Sequence, residues 1–224
     1  MKKETKRETI IRLGKIIIPF IIGIGVVLTI GFLLGEALRL KFWSLISGYF
    51  FPPLGKETII PAGIIAGIDP LIMAVSIAFV DIIIALFLLW NYDLAKKIPI
   101  IGKFIIKVEK IGEKSSEKYA WIKPLRFVGI ILFVMVPFQG SGGFMATIVG
   151  RLIGMKPLNT FLAISAGAII GCTAVAYFAE AVKTVFFTNF LAGVLVVIIL
   201  FIIGLMIFVY RKTNNKNNKK DEKE

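Results

Sequence analysis

Apolar positions in this chain come in blocks separated by polar or glycine- and proline-rich breaks, and the blocks fall into two length classes. Ile16–Leu38, Leu71–Trp90, Asn159–Ala181 and Phe187–Tyr210 are long. Each matches the roughly 20 helical residues needed to cross a hydrocarbon core of about 30 Å. The other blocks are short. Phe127–Phe138 and Phe144–Met155 flank the break Gln139-Gly140-Ser141-Gly142-Gly143. With roughly a dozen residues, each reaches about 18 Å as helix. Neither can cross alone, and the glycines between them argue against one straight helix. The same design appears earlier, where Pro52, Pro53 and Gly55 interrupt helix before the short apolar run Thr58–Gly67.

Short arms around a polar break predict hairpins that dip into the membrane and leave on the side they entered. Irregular backbone at that depth is tolerated only when buried in protein or lining a wet cavity. The pattern therefore predicts an all-α integral membrane protein with four transmembrane helices and two re-entrant helical hairpins, at about 43–67 and 127–155. Gly67-Ile68-Asp69-Pro70-Leu71 closes the first hairpin and Gly154-Met155-Lys156-Pro157-Leu158 the second. Each precedes a full span. The hairpins enter from opposite faces, so the two units form an inverted repeat of the kind transporters use.

Charge fixes the orientation. Of 27 Lys and Arg, six lie in residues 1–15, nine in 91–126 and six in 211–224. Each segment flanks an apolar run, which is the positive-inside pattern and puts both termini in the cytoplasm of a multi-pass plasma-membrane protein. The domain reading follows: a basic amino terminus at 1–15, one membrane domain at 16–210, and a disordered polar tail at 211–224. Within the membrane domain, 91–126 carries apolar residues at helical spacing among lysines, an amphipathic helix on the inner surface. The net charge of +13 taken alone points to nucleic acid, but its confinement to membrane flanks excludes that partner and favours membrane lipids. A mean hydropathy of +0.86 agrees. Arg39, Lys41, Phe42 and Trp43 read as an interfacial anchor.

The chain has no histidine and one cysteine, Cys172. Imidazole catalysis, a zinc site and an internal disulfide are thereby removed, no cofactor is expected, and no nucleophile–base pair suggests an enzyme. The acids are more informative. Glu36, Asp69 and Glu180 fall at span ends, where solvated interface is the plain reading. Asp81 sits eleven residues into the span from Leu71, where a charge costs about 2.5–3.5 kcal/mol on insertion scales. Glu57 sits at the first hairpin break. Both acids are candidates for proton or ion coupling, and a buried ion pair with Lys56 or Arg151 is the alternative. Gln139 and Ser141 offer neutral polar groups, and the amides of Gly140, Gly142 and Gly143 could form an anion nest at a helix start. Arg151 either turns inward as a forked donor to an anion or snorkels to the interface. Gly63xxxGly67, Gly150xxxGly154 and Gly167xxxGly171 read as close helix packing.

Pro137-Phe138-Gln139-Gly140-Ser141-Gly142-Gly143, Gly154-Met155 and the small-residue span after them resemble the small multidrug export protein family, over about Phe50 to Phe178. A wider likeness is to the DedA (VTT-domain) superfamily, whose first hairpin is similar to Phe50–Glu57 and whose following span carries an acid similar to Asp81. That resemblance implies two opposed re-entrant hairpins and acids that serve proton coupling. It does not carry over the superfamily's arginine pair around the second hairpin proline. Gly140 and Val134 stand there, and the nearest arginines are Arg126 and Arg151.

Together these readings describe a small ion-coupled transporter or lipid flippase of the DedA-like type, the coupling ion being a proton. Glu57 and Asp81 bind the proton, and Gln139–Gly143 with Arg151 contact an anionic or amphipathic small molecule. A non-transporting membrane scaffold or assembly protein is the alternative. The sequence is compatible with a homo-oligomer.

Overall fold

A computed structural model describes residues 6–51, 54–92, 123–137, 141–191, 193–195, 198–199, 202–203 and 206. The expected amphipathic connection, through residues 93–122, and the polar tail at 211–224 lie outside them, as do Pro52, Pro53, Gln139 and Gly140. The expected fourth span, Phe187–Tyr210, is described only in part. The described elements are helices: α1 (Lys6–Leu33), α2 (Glu36–Gly48), α3 (Lys56–Ile65), α4 (Pro70–Trp90), α5 (Lys123–Met135), α6 (Gly143–Leu152) and α7 (Pro157–Thr188). Ile10–Leu33, α4 and α7 are long and apolar enough to cross a membrane. The helices of 13 and 10 residues reach only about 20 and 15 Å, short of a bilayer core.

The first span ends five residues earlier than the apolar pattern predicts. It stops at Leu33 because Gly35 takes φ +76°, a left-handed conformation that ends a right-handed helix and favours glycine. Glu36 then opens α2, so the first short helix pair begins at residue 36 rather than near 43. Phe42 and Trp43 are not interfacial anchors. Phe42 is fully buried, and the Trp43 indole lies against Gly31, with its N–H donating to the Val27 carbonyl at 3.3 Å. Pro19 within α1 cannot donate to the Lys15 carbonyl one turn back. The Asn91 amide donates to that oxygen instead, at 2.9 Å, tying the end of α4 to α1.

Helix boundaries recur at a constant offset. Four landmarks of the first unit return 87 positions later: Gly48 and Met135, Lys56 and Gly143, Ile65 and Leu152, Pro70 and Pro157. The closures match as well. The Ile68 N–H donates to the Gly63 carbonyl and Gly67 takes φ +96°, while the Met155 N–H donates to the Gly150 carbonyl and Gly154 takes φ +76°. Both are Schellman caps. The second glycine of Gly63xxxGly67 and of Gly150xxxGly154 is therefore a cap, and only the first packs closely: Gly63 against Met73, Gly150 against Thr160. Proline then opens the next helix, where its missing N–H costs nothing. Asp69, exposed as a residue at a span end, also caps α4 by accepting from the Leu71 and Ile72 amides at 2.8 and 3.3 Å.

Met1–Tyr177 and Phe178–Glu224 form two compact units. In the first, α4 is central and packs on α1, α3 and α6. Gly167 and Gly171 of α7 meet the backbone of α5. A Cβ at Gly167 would lie 2.7 Å from the Ile131 carbonyl oxygen, and one at Gly171 2.8 Å from Met135 Cα. In the second unit Glu180 pairs with Lys183 at 3.2 Å, and the Phe186 and Phe190 rings meet edge-on at 5.0 Å.

Overpacking of this kind costs about 1–3 kcal/mol. Gly167→Ala should therefore lower the thermal midpoint of the detergent-purified protein. Gly129→Ala on α5, where a Cβ meets nothing within 4 Å, should leave it unchanged or raise it slightly. Equal midpoints for both variants would remove the close α5–α7 approach.

Candidate functional site

Asp81 lies in the middle of α4 and is 1% exposed. Neighbouring turns of α4 place Ile77, Ala78, Val80 and Ala85 in the core, so its carboxylate has no route to bulk water along its own helix. Two donors from other elements reach it. The Tyr49 hydroxyl, from the end of α2, donates to Oδ1 at 2.8 Å. The backbone N–H of Gly143, the first residue of α6, donates to the same oxygen at 2.9 Å. Such charge-assisted bonds, one of them from a helix amino terminus, offset part of the cost of burying an anion. The other oxygen, Oδ2, is buried with no hydrogen-bond partner.

The glycines of the second break acquire a definite reason. A Cβ on Gly143 would collide with the Asp81 carbonyl oxygen, and one on Gly142 would lie 2.8 Å from Oδ1. Glycine here lets the start of α6 touch α4. The Gly143 amide is accordingly engaged by Asp81, so the carboxylate occupies the place that an external anion would take in a nest.

Lys56, the first residue of α3, is 2% exposed. Its ammonium donates to the carbonyl of Val134 in α5. Asp81, Lys56, Tyr49, Gly55 and Ser141–Gly143 line one cavity of about 510 Å³, closed on its apolar side by Phe20, Phe50 and Ile84. The Ser141 hydroxyl is buried in this wall without a partner. Gly55 and Gly142 are the residues before α3 and α6, and both are extended with no side-chain cap. Two helix starts related by the 87-residue offset thus meet at the same space.

The structure gathers Asp81, Ser141, Gly142 and Gly143 and separates the other candidates. Glu57 lies one residue beyond Lys56. Its carboxyl folds against Gly55, and Oε2 is buried without a partner. Arg151 is elsewhere, donating to the Met155 carbonyl at 2.9 Å, with its guanidinium 5.0 Å from the centre of the Tyr92 ring. It closes the end of α6 and does not line the Asp81 cavity. Gln139 and Gly140 lie outside the described residues. Tyr49 escaped the sequence reading because a tyrosine beside Phe50 and Phe51 looks like an interfacial aromatic. Only the proximity of Asp81, 32 positions later, gives its hydroxyl a purpose.

The family model described as "Putative small multi-drug export protein" matches residues 57–174, more than half of the chain. Those residues include α4, α5, α6 and most of α7. No curated protein and no solved structure matched the chain.

Tyr49→Phe keeps the ring and removes the donor to a buried carboxylate, a bond worth about 1.5–3 kcal/mol. The expected outcome is a lower thermal midpoint in Tyr49→Phe, and no further drop when the same change is made in Asp81→Leu. An identical drop in both backgrounds would show that the hydroxyl acts on something other than Asp81.

Proposed function

Since the chain belongs to the small multi-drug export protein family, we propose that it is a proton-coupled membrane transporter with Asp81 as its coupling acid. One observation carries this reading. Asp81 holds its place in the bundle with one oxygen, leaves the other buried and unpartnered, and as a residue lines a cavity of about 510 Å³. A purely structural carboxylate would gain from satisfying both oxygens. Oδ2 is the atom that takes the proton, and Lys56 supplies the opposite charge in the same wall. An intramembrane acid facing a cavity is the usual form of a proton relay in transporters.

The fold supports alternating access. The short pairs α2–α3 and α5–α6 are re-entrant hairpins of an inverted repeat, supported by their length and by the 87-residue offset. In that arrangement two broken helices approach the midplane from opposite faces and start at the ion site. Rocking one unit against the other opens the cavity to each side in turn. Four spans and both termini in the cytoplasm complete the topology in the plasma membrane. Glu57 is a first-turn acid of α3, where its charge suits the helix amino terminus, and stands second to Asp81 as a coupling group. Lipid flipping is less favoured, because Arg151 already serves the Met155 carbonyl and the Tyr92 face.

The scaffold alternative has an observation in its favour, since Oδ1 alone joins α2, α4 and α6. Asp81→Asn separates the two readings because an amide oxygen can still accept both bonds. In everted vesicles with an imposed pH gradient, ethidium uptake by the wild type should fall at least tenfold in Asp81→Asn, with the thermal midpoint nearly kept. Uptake unchanged in Asp81→Asn, or absent from the wild type, would overturn the proposal.

A further inference from the structure

A second cavity, of about 550 Å³, lies beside the first, between α1, α2 and α4. Its lining is almost wholly apolar, with Pro19, Val27, Trp43, Val80, Ile83 and Phe87 among the walls. Phe20, Phe50 and Ile84 line both cavities. The two spaces are thus neighbours across a wall three side chains wide. Phe20, Ile24 and Leu28 of α1 and Phe50 and Phe51 beyond α2 are exposed. The apolar cavity therefore opens on the flank of the bundle that a bilayer would cover.

We infer that the transported molecule is an amphipathic monovalent amine, its ammonium at Asp81 Oδ2 and its apolar body in the groove walled by Trp43, Val27 and Ile83. This rests on the transporter reading and names its substrate class. Both cavities fall within the size range of small-molecule sites, and they differ in kind: one has a buried charged wall, the other almost no polar atoms. An amphiphile satisfies both at once, and it can arrive sideways from the lipid without leaving an apolar phase.

The sign of the head follows from which polar atoms are already engaged. The Gly143 amide is bound by Oδ1, and the Lys56 ammonium donates to Val134. The charged atoms left without a partner near this space are both acceptors, Asp81 Oδ2 and Glu57 Oε2, the latter on a carboxyl folded against Gly55, and the Ser141 hydroxyl in the same cavity wall can accept as well. Charge balance points the same way. A bound proton and a bound monovalent ammonium each add one positive charge to those of Lys56, Asp81 and the neighbouring Glu57. The two loads exchange one for one with no change in buried charge. That is what an antiporter site requires, because any net change would carry a large desolvation cost.

Binding can be read without transport. Replacing Trp90 and Trp121 by Phe leaves Trp43, in the groove wall, as the sole tryptophan. In detergent at fixed micelle concentration, octylammonium should perturb Trp43 fluorescence saturably. It should bind at least tenfold tighter than octyl sulfate or octanol, with affinity falling stepwise through hexyl- and butylammonium. Asp81→Asn should abolish the preference for the amine. Ser47→Phe or Val27→Phe, each filling the groove, should weaken octylammonium at least tenfold and leave binding of methylammonium, read by competition, unchanged.

Equal or tighter binding of octyl sulfate would overturn the cationic head. Affinity independent of chain length, or untouched by either filling variant, would overturn the apolar station. Selective octylammonium binding without ethidium uptake would instead remove the transporter reading and leave the binding site standing. Asp81-dependent uptake without selective octylammonium binding would do the reverse.

Discussion

A carboxylate held inside an apolar helix bundle by the first amide of another helix is the constraint on which this structure turns. Asp81 is buried, and a bare charge there would cost several kcal/mol. The bond to Gly143 N–H is available only if α6 begins in contact with α4, and contact at that distance requires glycine at 142 and 143. The start of α6 is thereby fixed, and with it the break that separates α6 from α5. Tyr49 makes the same demand on the end of α2. One oxygen atom sets the mutual position of three helices, and the atom beside it remains available for chemistry.

The 87-residue recurrence of helix boundaries explains how such a site is built in so short a chain. Two helix starts converge because the same helix pair occurs twice at a fixed offset, but the two copies contribute differently. Where the first brings Lys56, the second brings Gly143. Where the first brings Asp81, the second brings Ala168. Charge lies in one copy and small size in the corresponding positions of the other, so the side chains of one fill the space left by its partner. A site with two charges on both copies would have to bury four.

Much of this was legible in the sequence, for identifiable reasons. Asp81 stood out because nothing else charged occurs in its span, and Ser141–Gly143 because no apolar helix runs through such a break. The all-helical fold and the short arms followed from block lengths. The break at Gly35 did not, because Leu33 and Leu34 carry the apolar pattern to the glycine and Ala37 and Leu38 resume it. Periodicity cannot register a single left-handed residue. The recurrence of helix boundaries was visible only at Gly67–Leu71 and Gly154–Leu158, since the apolar residues that fill matching helices differ while lengths and caps agree. Arg151 misled for a related reason. A cation eight residues past the break could turn to the cavity or to the helix end, and the free Met155 carbonyl decided it. Tyr49 and the apolar groove depend on contacts distant in the chain and could not be read locally.

The central claim is that Asp81 is an exchangeable site rather than a permanent tie. Infrared difference spectroscopy of the purified protein across a pH titration tests it most directly. The account predicts a protonated-carboxyl band that is absent from Asp81→Asn and that disappears when octylammonium is added at a pH where it was present. A carboxyl of Asp81 that keeps one protonation state throughout the titration, whether or not the amine is present, would contradict it.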